Sequence, residues 1–405
     1  MTSPSIARLP ERVPDTVYPF RVPPAQLFGA GAVEQIGVEA KRLGTRHALI
    51  VTDPGVTRAG ISSRVRELLE AAGISTGTYE EVQPEPTVAG VERAYDATLG
   101  AAPAGSPGGY DAIIGVGGGS AMDTAKALSL RSANPGPVSR YFGVELVPNT
   151  GLPLIHVPTT AGTGAEITPN AIFGDEERRL KAGVVSHRLF AQVAIVDPDL
   201  TLGVPATVTA ASGIDALTHA IESYVAVKAT PHTDLYALES IRLIAANLRG
   251  AVTRGGDRAA RTGQALGSFY AGIAITNAGT GLCHAMAYPL GGAYHVPHGM
   301  ANALLLPAVL EYNMVADLAK MARVAEAMGE QVVGLSVYDA AQRGVEAVRR
   351  LCRDVGLPAG LREVGVSEDA LAHFVEGALS AARLIDNNPR RPTPEAVLDV
   401  YRRSY

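Results

Sequence analysis

The chain has 405 residues, of which 47% are hydrophobic and 19% charged, so it exceeds one ordinary hydrophobic core and carries enough apolar material for two folded domains. A formal net charge of -5 excludes a broad basic face for nucleic acid, and two cysteines, Cys283 and Cys352, are too few for a disulfide framework and fit a reducing compartment. Residues 1–14 hold no apolar run of the secretory kind. The longest strongly apolar run, 301–310, is interrupted by Asn302 and Pro307 and is too short to cross a membrane, so a cytoplasmic protein without a membrane partner is expected.

Along the first half, short apolar runs alternate with amphipathic stretches. Residues 48–52, 111–116, 152–157 and 192–196 read as buried strands, with a helix over 62–72 after the first and another after the second. Strands separated by helices predict an α/β domain, a parallel sheet covered on both faces. The stretch 105–109 reads as a loop. After Pro198 the pattern changes to long Ala- and Leu-rich segments at helical spacing, including 316–328 and 338–355, and Thr393 followed by Pro394 caps a last helix to Tyr405. The boundary is placed at residue 203, between a Rossmann-like α/β domain (1–203) and an all-helical domain (204–405).

Two loops in the first half have the composition of a nucleotide site. Gly117, Gly118, Gly119 and Ser120 stand where a strand passes into a helix that carries Asp123 and Lys126. Glycines there admit close backbone approach, and a helix start offers free N–H groups to an anion. This is not the Gly-x-Gly-x-x-Gly fingerprint, and a plain turn with Ser120 as helix cap and Asp123 as its partner explains it equally well. The second loop, 158–166, also follows a strand and concentrates Thr159, Thr160, Thr163, Gly162 and Gly164. Paired loops at strand C-termini are where open α/β sheets bind ligands. Asp53, just past the first strand, is placed either to accept from a ribose hydroxyl, which favours NAD over NADP, or simply to cap the turn at Pro54.

In the helical half, Asp215 and His219 lie four residues apart and share a helix face, with Glu222 three residues further on as a partner for a ligand. His284 and His298 follow downstream. A carboxylate and three imidazoles, with no thiolate, suit Fe²⁺ or Zn²⁺. Cys283, next to His284, points elsewhere on a helix, and His295 is left out of the ligand set.

Taken together, the segments 117–126, 158–166, 211–222 and 281–302 resemble the iron-dependent (group III) alcohol dehydrogenases, from about Phe20 to the C-terminus. The resemblance implies metal ligands Asp215, His219, His284 and His298, and NAD(H) contacts from Asp53, Gly118, Gly119, Ser120, Asp123, Thr159, Thr160 and Lys181. It also implies a homodimer and reversible hydride transfer between an alcohol carbon and nicotinamide, with Fe²⁺ (or Zn²⁺) polarising the substrate oxygen. Many members carry a histidine four residues after the third ligand, where this chain has Tyr288; a Tyr there also occurs in hydroxyacid–oxoacid transhydrogenase-like branches. Tyr288 is therefore the candidate for proton relay, and Asn170 and Phe173 for the pocket wall. Arg140, Arg178 and Arg188 are the cations considered for a substrate carboxylate. A lyase resembling dehydroquinate synthase is the more distant alternative, since it needs several basic residues around the metal motifs and none are apparent.

Overall fold

The computed structural model describes residues 17–101, 109–175 and 180–405. The N-terminal stretch 1–14, most of the expected loop at 105–109, and Arg178 fall outside these residues.

Among the described residues nine strands occur in chain order: β1 (Ala25–Phe28), β2 (His47–Val51), β3 (Ser75–Tyr79), β4 (Ala112–Gly117), β5 (Gly143–Val144), β6 (Leu154–Pro158), β7 (Asn170–Asp175), β8 (Leu180–Val185) and β9 (Val193–Val196). Six form one sheet in the order β1-β9-β6-β4-β2-β3, with every pairing parallel. The four apolar runs seen in the sequence became its interior strands. Their side chains alternate between two cores: Ala48, Ile50, Ile114, Val116, Ile155 and Val157 pack on one face. Leu49, Val51, Ile113 and Leu154 pack on the other. Covering both faces is what makes such strands continuously apolar.

The sequence reading missed β1 and β3, which lie at the two sheet edges. β3 is Ser-Thr-Gly-Thr-Tyr, and an edge strand has less apolar surface to bury, so its composition gives no signal. β5, β7 and β8 form a separate small sheet in which β7 and β8 run antiparallel.

From β2 the chain steps to β3 in one direction and to β4, β6 and β9 in the other. The crossover direction therefore reverses between β2 and β4, and the crevice beyond their C-terminal ends is where open α/β sheets take ligands.

After β9, no strand occurs among the described residues. The helices Ala206–Val225, Pro231–Thr253 and Arg258–Ala278 pack on one another, His298–Asn313 packs on the first of them, and Leu282–Tyr294 packs on His298–Asn313. Pro307, which breaks the apolar run in the sequence, sits inside the helix His298–Asn313. A helical proline leaves the carbonyl four residues earlier without its N–H; here that carbonyl, Ala303 O, is approached by the Cys352 thiol at 4.0 Å. Among the described residues, no helix is long and apolar enough to cross a membrane.

Candidate active site

A cavity of about 190 Å³ opens between the strand ends and the helical half. Its strand side begins at the glycine turn. The helix Gly119–Ala133 is capped by the backbone of Gly118, with no side-chain capping bond. Ser120 is therefore the second residue of the helix and not its cap, so the turn hypothesis built on Ser120 and Asp123 does not hold. Gly117 has φ of 152°, and a Cβ there would lie 2.7 Å from Ala121 Cβ and 3.3 Å from Asp53 Oδ2. Only glycine fits that approach, and it leaves the first-turn amides open to an anion.

The second loop lies alongside. Thr159 N donates to Gly117 O at 2.9 Å, and Thr160 Oγ1 stands 3.4 Å from where a Gly118 Cβ would be. Gly119, Ser120 and Asp123 line the cavity, whereas Asp53, Gly118, Thr159 and Thr160 stand behind it around the strand ends. Asp53 Oδ1 caps the short helix Pro54–Arg58, accepting from Gly55 N at 2.8 Å and Val56 N at 3.1 Å. Its other oxygen is turned toward Gly117.

Asp123 is less available to a ligand than the sequence suggested. Oδ2 accepts from Ile172 N at 3.0 Å and Oδ1 from Lys126 Nζ at 3.3 Å, while Lys126 also donates to Asn170 O at 2.6 Å. The pair ties the glycine-turn helix to β7, which carries Asn170 and Phe173 into the cavity wall. Phe173 is almost wholly buried and stacks on Phe142, so it offers little more than an edge. Lys181, on β8, reaches across to ion-pair with Glu85. No local pattern points to Glu85, a loop residue between two prolines. Its backbone is left-handed, with φ of 57°, and its Oε1 accepts from His298 N at 3.4 Å, so the α/β half reaches the metal-ligand helix directly.

The helical side brings the sequence-identified donors together. Nε2 of His219, His284 and His298 each lie 3.9 Å from Asp215 Oδ1. Asp215, His284 and His298 form one group whose ligand atoms are all within 4.8 Å of one another, and the His219 ring stacks on His284 at 4.7 Å. Asp215, His284 and His298 thus meet as one donor group, and His219 adjoins it through Asp215 Oδ1 at 3.9 Å and its ring stack on His284. Three helices achieve this. Asp215 and His219 are successive turns of Ala206–Val225, His284 opens the second helix, and His298 is the first residue of the third. The last approach depends on Gly299, where a Cβ would meet Ala211 O at 2.6 Å.

The electrostatics suit cation binding. Burial opposes the charge of Asp215, but the imidazoles and an amide bond from Asn302 outweigh it and hold the carboxyl below its ordinary range. Burial lowers His219, and takes His298 down to about 3, so both rings stay neutral with a lone pair to give. His284 is also buried, yet Glu222 raises it: Oε2 lies 2.5 Å from Nδ1, while Oε1 accepts from Cys283 N at 2.6 Å. That carboxylate fixes the Nδ1–H tautomer and turns Nε2 toward the cavity. Asn302, noticed in the sequence only as a break in an apolar run, donates Nδ2 to Asp215 Oδ1 at 2.7 Å. The signal was present, four residues after His298 on one helix.

Tyr288 lies one turn beyond His284, lines the cavity, and has its ring 6.3 Å from that of His298. Burial raises its phenol further above the ordinary value. His295, exposed and left-handed at the end of its helix, stands apart from the donor group. Of the arginines considered for a carboxylate, Arg188 is occupied by Val147 O and Thr150 Oγ1, and neither it nor Arg140 lines the cavity. Arg383 does, and the sequence reading overlooked it.

Residues 23–198 match the family model described as iron-containing alcohol dehydrogenase, and residues 209–405 match the C-terminal model of the Fe-containing alcohol dehydrogenase family. The chain is 38% identical over 391 residues to 1,3-propanediol dehydrogenase of Klebsiella pneumoniae, covering 96% of this chain and 99% of that one. It is 37% identical to NAD-dependent methanol dehydrogenase of Bacillus methanolicus, covering 94% and 98%. Among solved structures, a 1,3-propanediol oxidoreductase superposes with a TM-score of 0.91 at 38% identity, covering 96% of this chain and all of that one. With both halves matched, the donor set on three helices facing a glycine turn across the cleft places the chain in the iron-containing alcohol dehydrogenase family, oxidoreductases that act on CH–OH groups.

Proposed function

We propose that this protein interconverts a small alcohol and its aldehyde with NAD(H), using a divalent ion held by Asp215, His219, His284 and His298. The observation that carries the reading is the convergence of those four donors on the cavity that the glycine turn enters from the other side. When bound, the ion supplies Lewis acidity toward the substrate oxygen and the nicotinamide exchanges the hydride. Residues 1–203 form the cofactor half in this reading and residues 204–405 the metal half.

The protein's own groups do the remaining work. Gly118, Gly119 and Ser120 offer first-turn amides to the cofactor phosphates, with Thr159 and Thr160 beside them, and Asp53 selects NAD by repelling a 2′-phosphate. Lys126 and Asp123 hold β7, and with it Asn170 and Phe173, against the glycine-turn helix. Lys181 reaches a bound cofactor by leaving Glu85. Burial keeps the Tyr288 phenol protonated at neutral pH, so its hydroxyl orients an oxygen by donating a hydrogen bond and does not act as the base. A dehydroquinate synthase-like lyase needs a cluster of cations; among the described residues the cavity wall offers Lys181 and Arg383, and Lys181 is paired.

Fe²⁺ is the expected ion, in keeping with the family, although the donor set also accommodates Zn²⁺. A homodimer and a cytoplasmic setting complete the reading, supported by the family resemblance and by two buried, unbridged cysteines. The decisive experiment strips the metal with a chelator, restores Fe²⁺ or Zn²⁺ separately, and follows NADH oxidation with a panel of aldehydes. Loss on stripping and recovery with one ion is expected. Full activity in verified apoprotein would refute the metal role.

A further inference from the structure

The charged groups lining the cavity can be paired off one by one. Asp123 accepts from Lys126. Lys181 is matched by Glu85. Asp215 sits among three imidazoles and belongs to the donor group of the ion. One charge remains. Arg383 lines the cavity from the four-residue helix Ala382–Ile385, which packs on the helix carrying His284 and Tyr288. Among the described residues no carboxylate pairs with it. Its nearest acidic neighbour in sequence, Asp386, faces Arg391 at 3.5 Å instead.

The position of Arg383 narrows what it serves. It enters the cavity from a helix packed on the one that bears His284 and Tyr288, so it belongs to the helical wall. The glycine turn, which presents amides to phosphates, is on the strand wall. A guanidinium keeps its charge at any working pH, and its planar fork matches a carboxylate or sulfonate with two parallel hydrogen bonds.

We infer that Arg383 binds an anionic substituent of the substrate, so that the preferred substrates are short aldehydes bearing a carboxylate or sulfonate, and the corresponding hydroxy acids. This rests on reading the cavity as the aldehyde site, and the test separates the two. Metal-loaded enzyme is assayed with NADH on succinic semialdehyde and on butanal, which has the same chain length without the charge. The quantity read is the ratio of kcat/KM for the anionic over the neutral aldehyde.

In the wild type the ratio exceeds one and falls as salt is added, because the attraction is screened. Arg383→Leu lowers it roughly 10- to 100-fold, the usual worth of a charge-assisted hydrogen-bonded pair, and Arg383→Lys recovers part of it. A ratio unmoved by Arg383→Leu overturns the inference while leaving the alcohol dehydrogenase reading intact. A change confined to KM for NADH also overturns it, by assigning the cation to cofactor phosphate. No turnover of either aldehyde, or of any uncharged aldehyde, would remove the functional reading itself.

Discussion

Glu222→Gln tests whether the metal site is built as its geometry implies. The carboxylate touches two groups, with Oε2 2.5 Å from His284 Nδ1 and Oε1 2.6 Å from Cys283 N. Glutamine keeps one acceptor, and the Cys283 amide takes it. The amide NH₂ is then turned toward His284 Nδ1, where two donors meet. To relieve this, the ring must shift its proton to Nε2, the atom that faces Asp215 and the ion site. Losing a charge-assisted hydrogen bond costs about 1.5–3 kcal/mol, and removal of such a ligand-orienting carboxylate typically weakens metal binding about 10- to 100-fold; the two magnitudes agree. Competition against a chelator of known affinity measures the dissociation constant of Fe²⁺ or Zn²⁺ in each protein. The gain in Tm on adding metal should shrink in parallel, since that gain reflects the same binding free energy. A metal affinity within about twofold of wild type would refute the tautomer argument.

Two other perturbations reach different parts of the site. Asp53→Gly should reduce the NADH over NADPH preference in kcat/KM by roughly tenfold, as a like charge near the 2′-phosphate is removed. Glycine in place of a capping Asp costs only a few tenths of a kcal/mol, so the fold survives, and an unchanged ratio would defeat the ribose assignment. Glu166, buried in the Thr-rich loop, is lifted by burial from 4.5 to about 7. The folded state thus holds a proton that the unfolded chain releases between these values, and stability falls as pH rises through that window, by about 3 kcal/mol in all. Glu166→Gln should flatten that fall, so that its Tm relative to wild type is more favourable at pH 8 than at pH 5; a pH-independent difference would rule the explanation out.

Much of the site could be read from the chain because its chemistry is local. Asp215 and His219 announce themselves by four-residue spacing, and the glycine turn by its place between an apolar strand and a helix. The interior strands were visible for the same reason, being buried on both faces and therefore apolar throughout. Glu85 and Arg383 were not visible, because nothing in their neighbourhoods says where tertiary packing will carry them. Glu85 sits in a loop between prolines, and Arg383 on four residues of helix. Of the two readings of Ser120, the helix cap fitted its residue type but not the fold, where Gly118 takes that place.

The hidden residues share one property, which explains both their absence from any local pattern and their place in the site. Each couples elements that are remote in sequence. Glu85 bonds Lys181 on β8 and the backbone of His298, the first residue of a ligand helix more than two hundred positions away. Arg383 brings a charge to the turn of helix that bears Tyr288. In the proposed reading the four donors hold the ion from three helices, and that part of the design is common to any substrate. What surrounds those donors is set by tertiary packing: Glu85 in its loop meets Lys181 of β8 on one wall, and Arg383 enters the other from a short helix packed on the one that bears His284. The reaction class therefore resides in spacing along the chain, and substrate selection in contacts that exist only in the folded cleft.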